Sequence, residues 1–178
     1  MSATVPALLA VTAFSGTGKT TLLTQLIPRL SQAGIRVGII KHTHHKMDVD
    51  TPGKDSYELR KAGARQTMVA SEARWALMTE TPDLAMPSLS WLAGQMDDKL
   101  IDLILVEGFK DEPVPKIALF RKDTGKEWLP LIDRHVIAVA SDVQIDVNLP
   151  LLDINQPDEI AAFIGNWLRG QVQSGTCG

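Results

Sequence analysis

The chain has 178 residues, of which 44% are hydrophobic and 22% charged, values that exclude a disordered, collagen-like or coiled-coil chain and suffice for a full core without disulfide staples. A net charge of −3 argues against a duplex nucleic-acid partner, and the single cysteine, Cys177, excludes an intrachain disulfide framework or a Cys-based zinc cluster. No uncharged apolar stretch reaches the roughly 18–20 residues of a membrane helix, and residues 5–14 have no Lys or Arg ahead of them, so they read poorly as a signal peptide. The expectation is a cytoplasmic protein with no membrane and no nucleic-acid partner.

Residues 7–12 form a short continuous apolar run, the pattern of a strand buried on both faces. A Gly-rich turn follows. Residues 20–33 then carry Leu22, Leu23, Leu26, Ile27 and Leu30 at helical spacing, with a kink expected at Pro28 and a left-handed cap at Gly34. Residues 35–41 are a second strand, which completes a βαβ unit. Residues 42–54 read as a polar loop and residues 55–62 as a short helix stopped by Gly63. Two short strands, 67–70 and 75–79, are close enough to form a hairpin, which points to a mixed sheet. A helix at 88–96, strands at 100–106, 117–120 and 136–140, a turn at 123–125 and a closing helix at 157–168 follow. The fold class is α/β, P-loop NTPase-like, with a mostly parallel (mixed) sheet flanked by helices. A single nucleotide-binding domain is expected over residues 1–169, with a flexible tail at 170–178.

The chemistry centres on Ala13-Phe14-Ser15-Gly16-Thr17-Gly18-Lys19-Thr20. This matches a phosphate-binding loop, with Ala13 in place of the first glycine. Gly16 and Gly18 permit the tight backbone turn that aims successive N–H groups inward. The helix start adds its positive end, Lys19 reaches the outer phosphates, and the Thr20 hydroxyl is a ligand for Mg²⁺. Such a loop needs a carboxylate on a neighbouring buried strand. Glu107, at the end of Leu103-Ile104-Leu105-Val106, supplies one, and Gly108 lets backbone approach the γ-phosphate. The competing reading of Glu107 is an ordinary strand-end residue.

The segment 41–50 leaves the second strand at the same sheet edge. There Asp48 and Asp50 are candidates to hold a metal through water, and His42, His44 and His45 are candidates for a transition metal; the alternative is a solvated loop. Lys54 and Ser56 are either substrate contacts or part of a helix cap. Asp142 follows a buried strand and is a candidate acceptor for the guanine N–H groups; the alternative is a strand-end turn. The lysine of the usual guanine motif is missing there.

Taken together, SGTGKTT at 15–21, IKHTHH at 40–45, DTPGKDS at 50–56, LVEGFK at 105–110 and DRHVIAVASD at 133–142 resemble the MobB family, the GTP-binding adapter proteins of molybdopterin-guanine dinucleotide biosynthesis. The resemblance spans nearly the whole chain except the tail. It implies a P-loop GTPase-like fold, GTP and Mg²⁺ as cofactors, slow intrinsic hydrolysis and a homodimer. It also implies cooperation with the guanylyltransferase that joins GMP to molybdopterin, with molybdopterin itself a candidate ligand. Carried onto this chain, the nucleotide site is Ser15, Gly16, Thr17, Gly18, Lys19, Thr20, Thr21, Gly108 and Asp142. Lys19 and Glu107 are the catalytic candidates, and Thr20, Glu107 and Asp50 the metal ligands. Two other readings compete. A small-molecule kinase would need an Arg-rich lid, whereas Arg60, Arg65 and Arg74 are scattered. A nucleotide-driven metal-insertion chaperone would use the histidines at 42–45.

Overall fold

A computed structural model of the protein describes residues 6–43, 48–81 and 86–174. His44, His45 and Cys177 lie outside the described residues. In chain order the elements are β1 (Ala7–Ala13), α1 (Lys19–Gln32), β2 (Val37–Lys41), α2 (Asp55–Lys61), β3 (Gln66–Ala70), β4 (Trp75–Thr79), α3 (Leu89–Ala93), β5 (Leu103–Glu107), β6 (Lys116–Phe120), β7 (Val136–Ser141), β8 (Leu151–Asp153) and α4 (Pro157–Ser174). They divide between two compact units, one formed by residues 1–42 with 88–178 and the other by residues 43–87.

The first unit is built on a six-stranded sheet in the order β2-β5-β1-β6-β7-β8. Every neighbouring pair in it is parallel. The inner strands β5, β1, β6 and β7 read as continuous apolar runs because both faces are covered, whereas the edge strand β2 is exposed at Ile39. On one face Leu22, Leu26 and Leu30 of α1 and Ile160 and Ile164 of α4 pack with Leu9, Val11, Leu105 and Leu119. On the other, Leu89 and Ala93 of α3 pack with Ala10, Ile104, Val106 and Phe109. Because β1 lies between β5 and β6, the chain crosses to opposite sides of it. The C-terminal edge of β1 is therefore the topological switch point where such sheets bind ligands.

The second unit holds α2 and the antiparallel β3–β4 hairpin, which forms a separate two-stranded sheet. The expected antiparallel pair is present, but it does not join the main sheet. Arg60 of α2 is 7% exposed at its side chain and meets Asp48 at 2.8 Å, Asp50 at 2.6 Å and Glu80 at 3.1 Å.

Several boundaries differ from those expected. The third strand of the first unit starts at Leu103 because Asp102 is taken up by Arg36, through the backbone N–H at 2.8 Å and the guanidinium at 2.7 Å. Helix α3 is only five residues long, capped by the Ser88 hydroxyl on the Trp91 N–H and followed by Gly94. Helix α1 continues through Pro28 to Gln32, and Gly34 adopts φ 80 as the left-handed cap. Helix α4 runs on to Ser174, past the expected end at Leu168. Among the described residues no helix is long and apolar enough to cross a membrane.

Candidate functional site

The turn from β1 to α1 shows why the sequence carries two glycines there. Gly16 and Gly18 have φ 85 and φ 91, in the left-handed region where a side chain is strained. A Cβ placed on either would meet nothing within 4 Å, so the glycines serve backbone direction and not packing. Thr17 between them is buried, and its hydroxyl donates to the Phe14 carbonyl at 2.9 Å, which closes the turn. Ser15, Gly16, Thr20 and Thr21 are exposed. Helix α1 begins at Lys19 with no acidic residue in its first turn. The first amides of a helix have no intrahelical acceptor and carry its positive end, so this rim is built for an anion. Lys19 folds over the loop, its ammonium donating to the Ala13 carbonyl at 3.3 Å.

Glu107 ends β5, directly beside β1, with Val11 as its register partner there and Lys41 of β2 on the other side. Its side chain is 14% exposed and pairs with the Lys41 ammonium at 3.4 Å. Gly108 follows at φ 93 and packs on His42, whose backbone N–H donates to the Glu107 carbonyl at 2.8 Å. A Cβ on Gly108 would stand 3.0 Å from both the Cβ and the carbonyl oxygen of His42. Gly108→Ala is therefore expected to destabilise the protein by about 1–2 kcal/mol from backbone strain alone, with the His42 contact adding to it. Chemical denaturation checks this, and an unchanged midpoint would contradict it.

Asp142 lies just past β7 at the same sheet edge. One carboxylate oxygen, Oδ1, accepts the Lys122 backbone N–H at 3.0 Å. A cavity of about 370 Å³ opens there, lined by Ser141, Asp142, Val143, Gln144, Leu152 and Asp153. The strand at 151–153 was not foreseen, and it supplies one wall of this cavity.

Two features had no assigned role at the sequence level. Arg121, the residue after β6, donates from Nε to the Thr17 carbonyl at 3.3 Å and so ties that strand edge to the glycine loop. An arginine directly after a buried run, at the edge where the loop lies, was the available signal. Lys116 opens β6 and is almost wholly buried. Its ammonium meets Asp133 Oδ2 and the Lys110 carbonyl, each at 2.6 Å. Burial works to raise the Asp133 carboxyl, but the Lys116 ammonium and the His135 amide outweigh it and hold the group below the usual carboxylate range.

Asp48 and Asp50 fall in the second unit with Arg60. Asp50 presents Oδ1 and Oδ2 to the guanidinium at 2.6 and 3.3 Å. The Arg60 hydrogen bond is the main force that holds its carboxyl below the ordinary range. Lys54 sits at the start of α2, where the Glu58 amide donates to its carbonyl. Among the described residues no group of three or more His, Cys, Asp or Glu side chains is placed to hold a metal ion.

Comparisons with known proteins agree on one family. Residues 8–142 match molybdopterin guanine dinucleotide synthesis protein B. A molybdopterin-guanine dinucleotide biosynthesis adapter protein of Escherichia coli (strain K12) is 62% identical, over 92% of this chain and 94% of that one. One of Haemophilus influenzae is 52% identical, over 91% and 89%. Among solved structures, a molybdopterin-guanine biosynthesis protein B superposes with a TM-score of 0.73 at 24% identity, covering 90% of this chain and 99% of that one; at this identity it speaks for the fold alone. Bacillus subtilis MobB superposes with a TM-score of 0.69 at 26% identity, covering 90% and 96%. The matched residues run from β1 through the glycine loop and Glu107 to Asp142, and the chain belongs to the molybdopterin guanine dinucleotide synthesis protein B family.

Proposed function

We propose that the protein is a GTP-binding adapter with slow intrinsic hydrolysis, serving the enzyme that attaches GMP to molybdopterin. The observation that carries this reading is the glycine-turned, anion-ready loop between β1 and α1, with Glu107 on the adjacent strand. The names of the relatives in Escherichia coli and Haemophilus influenzae supply the pathway. In this reading the amides from Ser15 to Thr21 and the Lys19 ammonium hold the phosphates. Their fit rests on the open space over Gly16 and Gly18. The exposed Thr20 hydroxyl and the Glu107 carboxylate would hold Mg²⁺, hard oxygen donors for a hard cation, directly or through water. When bound, that ion supplies charge to offset the phosphates. The cavity beside Asp142 receives the base, since among the described residues only Oδ1 of Asp142 is engaged and Oδ2 is left to accept from guanine.

Turnover is slow because the transition-state charge is only partly met. An arginine finger adds roughly 10³–10⁵ in rate, and Arg121 is already engaged by the Thr17 carbonyl. The protein therefore holds GTP for its partner enzyme in the cytoplasm. A homodimer belongs to the same reading. It is supported by the hairpin, which exposes Met68, Val69, Trp75 and Leu77.

Calorimetry with GTP and ATP, each with Mg²⁺, tests the reading. GTP is expected to bind more tightly, and Asp142→Ala to narrow the difference. Equal affinities in the unaltered protein would remove the guanine assignment. Glu107→Gln keeps volume and loses charge. It is expected to lower hydrolysis at least about tenfold while GTP affinity changes less than about threefold. Wild-type hydrolysis in this variant would make Glu107 a strand-end residue only.

A further inference from the structure

Arg121 and the residue after it touch both ends of the site. At the loop end the Arg121 Nε donates to the Thr17 carbonyl at 3.3 Å. At the other end the Lys122 backbone N–H donates to Asp142 Oδ1 at 3.0 Å. The chain then makes one 3-10 turn, Lys122–Thr124, which closes back on Arg121. The Arg121 carbonyl accepts the Thr124 hydroxyl at 2.7 Å and the Thr124 N–H at 3.2 Å. Two neighbouring residues in a closed turn therefore hold the glycine loop and the carboxylate together.

Peptide geometry says what the Thr17 bond fixes. The Thr17–Gly18 peptide is trans, so its C=O and N–H point opposite ways. A carbonyl held toward Arg121 turns the Gly18 N–H away from Arg121. Gly18, at φ 91, has the backbone freedom to let this peptide flip, and a bond to the carbonyl selects one orientation. Thr17 is pinned from the other side as well, by its own hydroxyl on the Phe14 carbonyl at 2.9 Å. Arg121 is half-buried and belongs to none of the three apolar clusters, so the fold does not depend on its side chain.

We propose that Arg121 is a positioning residue that couples the two ends of the nucleotide site. Through Thr17 it sets the Gly18 amide for the phosphates, and through the turn it leads it sets Asp142 for the base. The proposal rests on the GTP-binding reading above. The donor is what matters here, not the charge.

The test is calorimetry of the full chain with GTP and ATP, each with Mg²⁺. Arg121→Ala is expected to lose at least about tenfold in GTP affinity and to lower the GTP-over-ATP ratio. Glutamine carries a side-chain N–H donor the same number of bonds from Cα as the arginine Nε, without the charge. Arg121→Gln is therefore expected to keep both within about threefold. Adding Asp142→Ala to Arg121→Ala should cost less than the product of the single losses, by more than the roughly twofold margin within which independent sites multiply. Should Arg121→Ala not fold, Arg121→Met, which keeps the stem and loses the donor, takes its place. An Arg121→Gln loss as large as that of the donor-free variant would overturn the proposal, because only the charge has gone. So would an unaltered GTP-over-ATP ratio in the donor-free variant, or losses that simply multiply. Amide exchange without nucleotide judges the coupling separately. The Thr17 amide has the Phe14 carbonyl as acceptor and the Lys122 amide has Asp142, and in the donor-free variant both should quicken. Quickening at neither amide, or at one alone, would also overturn the coupling. If both quicken while the unaltered protein binds neither nucleotide, the coupling stands and the GTP reading fails.

Discussion

Replacing Lys19 with alanine is expected to remove triphosphate binding, by about a hundredfold or more, while the protein stays folded. Two facts lead there. The Lys19 side chain takes no part in either apolar cluster that holds the sheet to its helices, so the fold does not depend on it. Among the described residues its side-chain hydrogen bond is to the Ala13 carbonyl at 3.3 Å, a weak bond that a phosphate oxygen readily replaces. A charged hydrogen bond contributes about 1.5–3 kcal/mol, and the ammonium is positioned to make more than one to a polyphosphate. The amides of the glycine loop remain in the variant, so residual binding reflects them alone. Calorimetry with GTP and Mg²⁺, with circular dichroism to confirm folding, decides it. A folded variant with unchanged affinity would show that the loop is not a phosphate site.

The parts of the site that lie close in sequence were legible beforehand, because local backbone chemistry specifies them. Gly16 and Gly18 announce left-handed turns, and both have them. The run ending at Glu107 announces a strand buried on both faces, and β5 is one. Contacts that depend on strand order were not legible. The pairing of Lys41 with Glu107 requires β2 to lie beside β5, and the bond from Arg121 to Thr17 spans 104 positions. Lys116 is the clearest case. A lysine at the mouth of an apolar strand reads as a solvent-facing residue, yet its burial is set by Asp133, which only the return of the chain into β7 brings near.

Some elements were misjudged for local reasons. Strand β8 is three residues long, too short for alternation or an apolar run to register. The segment 170–174 carries glycine and glutamine and reads as loose, but it continues α4, which is already nucleated by its packed face at Ile160 and Ile164. The hairpin was recognised from its two short strands and its turn. Its membership in a separate sheet was not, because one apolar run does not say which edge it joins.

The second large effect is expected from Arg60→Ala, confined to residues 43–87. The guanidinium is the hub of this unit: it meets Asp48, Asp50 and Glu80 together, and it lies 5.3 Å from the centre of the Tyr57 ring. Its removal leaves the Asp50 carboxylate, with a side-chain exposure of 7%, without its countercharge. Breaking such a pair by deleting one partner costs far more than the pair contributes, since an uncompensated charge stays in place. Amide hydrogen exchange in α2 and the hairpin is expected to quicken at least about tenfold, with the sheet of the first unit unchanged. Acid gives an independent check. The Asp50 carboxyl is held below its unfolded value, so its contribution is complete above about pH 4 and is lost as pH falls through the folded value. In the unaltered protein this unit should loosen in that acid range, and in Arg60→Ala that acid step should shrink, because the main cause of the shift is gone and only a backbone hydrogen bond and the more distant Lys61 charge still favour the carboxylate. Exchange rates in the hairpin that are the same in both proteins at neutral pH would show that the unit is held by its strands and not by Arg60.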